Sequence, residues 1–401
     1  MSGPGPSSLT DRLVAEIGRD GPMPVSRYVE AALYDPVGGF YTAGGRAGRR
    51  GDFLTAPEVG PLFGAVVARA IDHWWTQAGR PAVFPVLEWG AGPGTLARAV
   101  VQAAPEVAGA GALRWCAIEI SDAQREAHPD DPAVVSAATL DEARGRLGGL
   151  DPSGVIPFGV VWANELLDNL PFDVYRRDGS GWRELRVDVA AAGDEEVPGS
   201  RFRLVPAPLP TSTLPTPTSP TSTSPTSAAT VGRTLDRLCP DSAEGTTVPW
   251  QGAAGAWLDE ALGSIGAGRV VVFDYGDTTP VLADRGGWIR THRRHAGGVE
   301  WLETPGACDV TVDVAFDQLA LAHDGSDRRP TLDRPQADFL RAHGIDELVA
   351  EGRRYWEAHA HIGDLASLRA RSRVQESAAL LDATGLGAFR VLEWVVDGPG
   401  D

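Results

Sequence analysis

The chain has 401 residues, 43% of them hydrophobic, and a net charge of −18; it has material for a large core, and its charge argues against non-specific binding to nucleic acid or to an anionic membrane. All 36 basic residues are arginine, so there is no Walker-type lysine for a nucleoside triphosphate and none to form a Schiff base with pyridoxal phosphate. The three cysteines, Cys116, Cys239 and Cys308, are far apart and form no CxxC pair, which indicates neither a disulfide framework nor a zinc site.

In chain order, residues 1–8 (MSGPGPSS) read as a disordered tail with no signal-peptide pattern, and no apolar run is long enough to cross a bilayer. Residues 9–80 read as a mostly helical N-terminal region. SLTDRLVAEIG places Leu9, Leu13, Val14 and Ile17 at helical spacing behind a Ser/Thr cap. RYVEAALYDPVGGFY is a helix that stops before Pro36, and GPLFGAVVARAIDHWW is a further amphipathic helix. From 81 to 171 short apolar runs at Val83–Trp89, Leu113–Ile120, Val134–Ala137 and Gly159–Ala163 alternate with helical or loop segments, the pattern of a parallel sheet covered by helices.

The first of these runs ends in VLEWGAGPGTLARAV, with Gly90, Gly92 and Gly94 at alternate positions. After a buried strand the backbone must reverse and start a helix whose N–H groups face a ligand, and glycine permits both the positive φ and the close approach. A dinucleotide fingerprint needs a third glycine three places after the second, where Thr95 stands. The spacing G-x-G-x-G, with Glu88 two residues ahead, instead resembles motif I of class I methyltransferases that use S-adenosylmethionine. Glu119, 25 positions after Gly94 at the end of the next apolar run, is placed to accept the ribose hydroxyls of such a cofactor.

Residues 172–268 read as an insertion with a small β excursion (GWRELRVDV, SRFRLV). Within it, 206–230 is so rich in proline, serine and threonine that it cannot bury enough apolar surface to order. RVVVFDYG opens a continued core at 269–300, 301–385 reads as mostly helical, and AFRVLEWVVD in 386–401 closes the chain as a strand.

Four more stretches narrow the reading: LYDPVGGFYTAGGRAGRRGDFLTAPEVGPLFG, WANELLDNLP, FDYGD, and GWIRTHRRH leading into LETPGACDVTVDVAFDQL. In this order, from about Leu9 to about Val396, the set resembles the MidA family of S-adenosylmethionine-dependent methyltransferases, whose mitochondrial members include a complex I assembly factor that methylates protein arginine. The resemblance implies an α/β fold: a class I (Rossmann-like) methyltransferase sheet with a helical N-terminal extension and an inserted substrate-side region. It implies S-adenosylmethionine as methyl donor, S-adenosylhomocysteine as product and a protein acceptor. The family often carries alanine where Asn169 stands.

Methyl transfer from a sulfonium is an in-line displacement that needs alignment and water exclusion more than acid–base chemistry. The candidate catalytic residues are Asn164, Glu165 and Asp168, just beyond the fourth run, where open α/β sheets bind ligands. Glu165 and Asp168, at i and i+3 on a helical turn, can fork a guanidinium; the alternative is that Asn164 and Glu165 cap a helix or contact the cofactor's amino-acid end. The cofactor-binding set is Glu88, Gly90, Gly92, Gly94, Glu119, Asp52, Thr55 and Glu58. The last three, in GRRGDFLTAPE, hold the cofactor's ammonium end or a cationic substrate, or cap a helix near Pro57. Arg46, Arg49 and Arg50 read as a solvated basic loop. Asp274 and Tyr275 contact substrate or shape a turn. His292 and His295, and His359 and His361, lack the carboxylate or cysteine that would complete a metal set. The expectation is a cytoplasmic bacterial methyltransferase acting on a protein arginine side chain, with no nucleic-acid or membrane partner. Its rivals are a non-catalytic assembly factor that keeps a cofactor-binding fold and a nicotinamide-dependent oxidoreductase.

Overall fold

The computed structural model describes residues 8–42, 55–147, 154–191, 200–207, 227–293, 296–297, 301–321 and 328–398. The chain divides into two compact units, one of Met1–Gly45, Asp168–Asp259 and Gly276–Arg328, the other of Arg46–Leu167, Glu260–Tyr275 and Arg329–Asp401. The reading of 9–80 as one N-terminal region therefore does not hold, because its first helices belong to one unit and Pro61–Gln77 to the other.

The second unit is built on a seven-stranded sheet of β1 (Phe84–Trp89), β2 (Leu113–Ile118), β3 (Val134–Ala137), β4 (Gly159–Asn164), β5 (Gly268–Asp274), β6 (Leu332–Pro335) and β7 (Arg390–Val396). The spatial order is β6-β7-β5-β4-β1-β2-β3. Strands β1 to β5 are mutually parallel, and β7 runs antiparallel between β5 and β6. Strands buried on both faces read as near-continuous apolar runs, and here Val86, Leu87, Trp115, Trp162, Val271 and Phe273 are all fully buried. Trp162 and Phe273 stack at 5.0 Å, and Phe63 and Phe339 pack edge-on against Phe273. Helix Pro61–Gln77 contributes its buried stripe of Leu62, Phe63, Val66, Val67, Ala70, Ile71 and Trp74, the i, i+3, i+4 spacing of an amphipathic helix.

The first unit begins with helix Leu9–Asp20, capped by Ser8, whose Oγ accepts the Asp11 N–H at 3.1 Å. Helix Val25–Tyr34 follows and ends before Pro36 as expected. The inserted region forms an antiparallel sheet around the hairpin Asp173–Asp178/Gly181–Val189, joined on its flanks by Met23–Pro24, Phe202–Pro206 and Thr247–Trp250. Tyr28 packs edge-on against Phe202 and Trp301 in its core.

Segment 301–385, read as mostly helical, also carries two strands: Asp309–Val312 pairs with Ile289–Arg293, and Leu332–Pro335 forms the sheet's edge. The first is only four residues long. The second carries exposed Leu332 and ends in proline, a composition that only an edge strand accepts and that gives no periodic signal.

Candidate functional site

Strand order reverses between β1 and β4, the switch point at whose carboxyl edge open α/β sheets bind ligands. Four neighbouring parallel strands each carry an acid at that edge: Glu88 within β1, Glu119 just past β2, Glu165 just past β4 and Asp274 at the end of β5. These four positions lie far apart in sequence, and the sheet sets them in a row.

The glycine turn leaves β1 with φ of 66° at Gly90, 53° at Gly92 and 72° at Gly94, values that side chains other than glycine adopt only under strain. Gly94 is the left-handed N-cap of helix Thr95–Ala103. The Gly92 N–H donates to Glu119 Oε2 at 3.0 Å and the Ser121 N–H to Glu119 Oε1 at 2.8 Å. Each carboxylate oxygen keeps a further lone pair, so Glu119 can still accept ribose hydroxyls. A Cβ built on Gly92 would meet nothing nearer than Gln124 Oε1, at 3.5 Å, so that face of the turn is open to a ligand. Burial raises the Glu119 pKa, while the two N–H groups pull it down.

Glu88 is more deeply placed. Its carboxyl accepts the Trp115 indole N–H at 2.6 Å, and burial, reinforced by the nearby Glu119, pushes its pKa up to about 8. Because the folded value lies above the unfolded one, Glu88 holds a proton that the unfolded chain releases, and stability falls as pH rises from about 4.5 toward 8. Glu88→Gln keeps the acceptor for Trp115 without the titration. It is expected to stabilise the protein by roughly 2 kcal/mol at pH 8 and by much less at pH 5, as read from urea unfolding at both pH values. A gain independent of pH would refute this account.

Glu165 sits in the left-handed region at φ 52°. Its N–H donates to the Phe273 carbonyl at 2.8 Å, and its Oε1 accepts the Ala56 N–H and the Asn164 amide, both at 3.1 Å. Glu165 thus serves the amino terminus of the short helix Ala56–Val59, where a carboxylate complements the exposed N–H groups. Thr55 is that helix's N-cap, but its hydroxyl makes no cap bond. Glu58, one turn on, accepts the Thr95 hydroxyl at 2.8 Å, tying this helix to the one that follows the glycine turn. Asn164 closes β4, and its Oδ1 is buried without a hydrogen-bond partner among the described residues.

The expected pairing of Glu165 with Asp168 on one helical turn does not form. The turn is a 3₁₀ segment confined to Leu167–Asn169, and left-handed Glu165 precedes it. Asp168 belongs to the first unit and is buried. Near it in that unit, the Tyr41 hydroxyl bonds to Asn169 Oδ1 and lies 3.2 Å from both oxygens of Asp309. Burial first, and the Asp309 and Asp168 charges with it, raise the Tyr41 pKa well above the ordinary phenol value. Asp274 is fully buried and accepts the Leu167 and Tyr275 N–H groups, both at 2.9 Å, and Tyr275 packs against Phe389.

Asp52, Arg46, Arg49, Arg50 and His295 lie outside the described residues, as does the side chain of His292. His359 ends its helix, with Nδ1 2.9 Å from the Tyr355 carbonyl, and His361 lies beyond that helix. Among the described residues no group of three metal-ligating side chains converges, and no helix is long and apolar enough to cross a membrane.

Sequence reasoning missed two partners of this edge. Glu376 is buried and accepts the Leu62 N–H at 2.8 Å at the start of helix Pro61–Gln77, a contact with no local signal across so long a separation. His128 Nε2 lies 2.9 Å from the Gly92 carbonyl. A histidine nine residues past Glu119 could have been weighed from the sequence.

A left-handed triple-glycine turn beside a buried acid, at the switch point of a parallel sheet, defines a nucleoside-cofactor site. The G-x-G-x-G spacing resembles motif I of methyltransferases that use S-adenosylmethionine. Comparison with known proteins agrees. The family described as "Putative S-adenosyl-L-methionine-dependent methyltransferase" matches residues 66–330, more than half of the chain, and the chain belongs to that family, the MidA-like methyltransferases. Protein arginine methyltransferase NDUFAF7, mitochondrial, of Mus musculus is 26% identical over 359 residues, covering 83% of this chain and 73% of that protein. The Drosophila melanogaster homolog is 30% identical over 229 residues, 52% of this chain and 51% of its own length. A COG1565 superfamily member from Burkholderia thailandensis, whose crystal structure holds S-adenosyl-homocysteine, has a TM-score of 0.74 at 26% identity, covering 99% of this chain and 96% of that one. The protein is therefore an S-adenosylmethionine-dependent methyltransferase of class I fold. The residues present suit the cofactor: the glycine turn is open at Gly92, and Glu119 retains acceptor capacity for a diol.

Proposed function

We infer that the enzyme methylates an arginine side chain of a protein, with the cofactor on the Gly90–Gly94 turn and its ribose on Glu119. The observation that carries this reading is Glu165, a non-glycine residue held at φ 52° at the carboxyl end of β4, beside the switch point. Such strain costs on the order of 1–3 kcal/mol and persists at sites where geometry serves function. The relatives named as protein arginine methyltransferases support the acceptor class. A guanidinium is a planar cation that carboxylates hold in register, and its nitrogen lone pair must be turned toward the methyl carbon at about 3–3.5 Å. The bound cofactor supplies an electrophilic methyl group that is already activated by the sulfonium charge. The protein's part is to place the acceptor nitrogen in line with it, to exclude water and to hold the positive charge of the guanidinium. Glu165 is the acid proposed to face that charge, and Asn164 orients it through the 3.1 Å amide bond.

The test uses S-adenosylmethionine labelled in the methyl group and extract from cells lacking the gene, followed by hydrolysis and amino-acid analysis. Label in methylarginine is expected. Label confined to another amino acid would refute the acceptor assignment, and no transfer by a protein that binds the cofactor would favour the assembly-factor reading. Glu165→Gln is expected to lower transfer at least about 100-fold while S-adenosylhomocysteine affinity stays within a few-fold. Full transfer by that variant would remove Glu165 from the mechanism. A cytoplasmic location belongs to the same proposal.

A further inference from the structure

The segment after β2 turns through the short helix Asp122–Arg125 and brings His128 and Pro129 against the glycine turn. His128 Nε2 lies 2.9 Å from the Gly92 carbonyl. A Cβ built on Gly94 would fall 2.9 Å from Pro129 Cδ and 3.2 Å from His128 Cδ2, so the imidazole packs over the turn as well as bonding to it. Gly92 is thus held from both sides of its peptide, its N–H by Glu119 and its carbonyl by His128. The Gln124 Oε1, near the open face of Gly92, is buried with no hydrogen-bond partner among the described residues.

We propose that His128 is a positioning residue for the methyl donor: as the neutral imidazole, it donates from Nε2 to the Gly92 carbonyl and fixes the left-handed turn in the shape the cofactor needs. The inference rests on the placement of the cofactor at this turn. A carbonyl oxygen only accepts, so Nε2 carries the proton, and in the neutral ring Nδ1 does not. Nδ1 is buried without a partner among the described residues, so protonating it places an uncompensated charge beside the turn. Burial holds the His128 pKa below the ordinary histidine value, and the Arg125 and Arg98 charges act in the same direction. Among the described residues the other titrating groups at the turn are Glu119, bonded to the Gly92 N–H, and Glu88, two residues before Gly90.

The experiment is calorimetric titration of S-adenosylhomocysteine into the wild-type protein, Gly92→Val, His128→Ala and His128→Gln at pH 7.5 and 5.5, with each fold checked by circular dichroism. His128→Ala is expected to weaken binding about tenfold or more at pH 7.5. A glutamine amide reaches about as far as Nε2 and donates without titrating, so His128→Gln is expected to recover affinity to within about threefold of wild type. Between pH 7.5 and 5.5 the wild type is expected to lose more affinity than His128→Gln. Both keep Glu119, so the difference between the two profiles isolates the imidazole. If wild type binds, Gly92→Val does not, and His128→Ala binds like wild type, the positioning role is refuted and the cofactor site stands. If His128→Gln is as weak as His128→Ala, the donated hydrogen bond is refuted. Failure of the wild type to bind removes the cofactor site and this role together.

Discussion

Gly92→Val is expected to abolish cofactor binding in a protein that still folds. Valine is β-branched and stiff about χ1, and at φ 53° it would carry on the order of 1–2 kcal/mol of backbone strain. Relief of that strain requires the turn to rotate, which withdraws the Gly92 N–H from Glu119 Oε2. The space around a Cβ at Gly92 is open apart from Gln124 Oε1 at 3.5 Å, so the side chain enters the ligand's space and leaves the core intact. Together these effects are expected to weaken S-adenosylhomocysteine binding at least about 100-fold, equivalent to about 2.7 kcal/mol, with an unchanged far-ultraviolet spectrum. Gly92→Ala, which is smaller and not branched, is expected to lose less. Binding by folded Gly92→Val within twofold of wild type would place the cofactor elsewhere.

Glu393→Gln is expected to produce the largest loss of stability. Glu393, on β7, is buried, accepts from Arg269 of β5 at 3.1 Å and pairs with Arg334 of β6. It is therefore the counter-charge for the arginines of both strands that flank β7. The Arg269 guanidinium lies 4.6 Å from the Trp74 ring centre and that of Arg334 lies 4.9 Å from Phe339, so both arginines are committed to the interior. Burial pulls the Arg269 pKa down while Glu393 pulls it up. Removing the carboxylate leaves two partly buried cations facing each other, and breaking a buried pair in this way costs about 3–5 kcal/mol. Urea unfolding measures it. Replacing all three side chains by apolar ones of similar volume is expected to cost little or even to stabilise the protein. A Glu393→Gln variant within 1 kcal/mol of wild type would mean that water reaches the arginines in the folded state.

The strands of the cofactor unit were legible in sequence wherever burial on both faces leaves an apolar run: β3 has the bounds read for it, and β1, β2, β4 and β5 shift by a few residues at their ends. Strand β6 was not legible. It is four residues at an exposed sheet edge, held by backbone pairing to β7, and such a strand needs no hydrophobic pattern. The glycine turn and Glu119 could be read because each lies within one βαβ unit and their spacing is set by local geometry. Glu165 was found at its strand end, but its conformation was hidden: nothing in NELLD marks a left-handed glutamate, and the helical spacing of Glu165 and Asp168 was the wrong guide.

The sequence by itself determined the parallel α/β core, the glycine turn and the row of acidic candidates, because these depend on periodicities and spacings a few residues to a few tens of residues long. Only the tertiary structure decided what those acids touch. Glu165 takes up the amino terminus of Ala56–Val59, Glu376 that of Pro61–Gln77, and His128 the carbonyl of Gly92, pairs separated in the chain by 109, 314 and 36 residues. Orphan N–H and C=O groups at helix ends and turns must be satisfied by some partner. The local sequence creates that demand, and the packing of the sheet selects which distant side chain meets it.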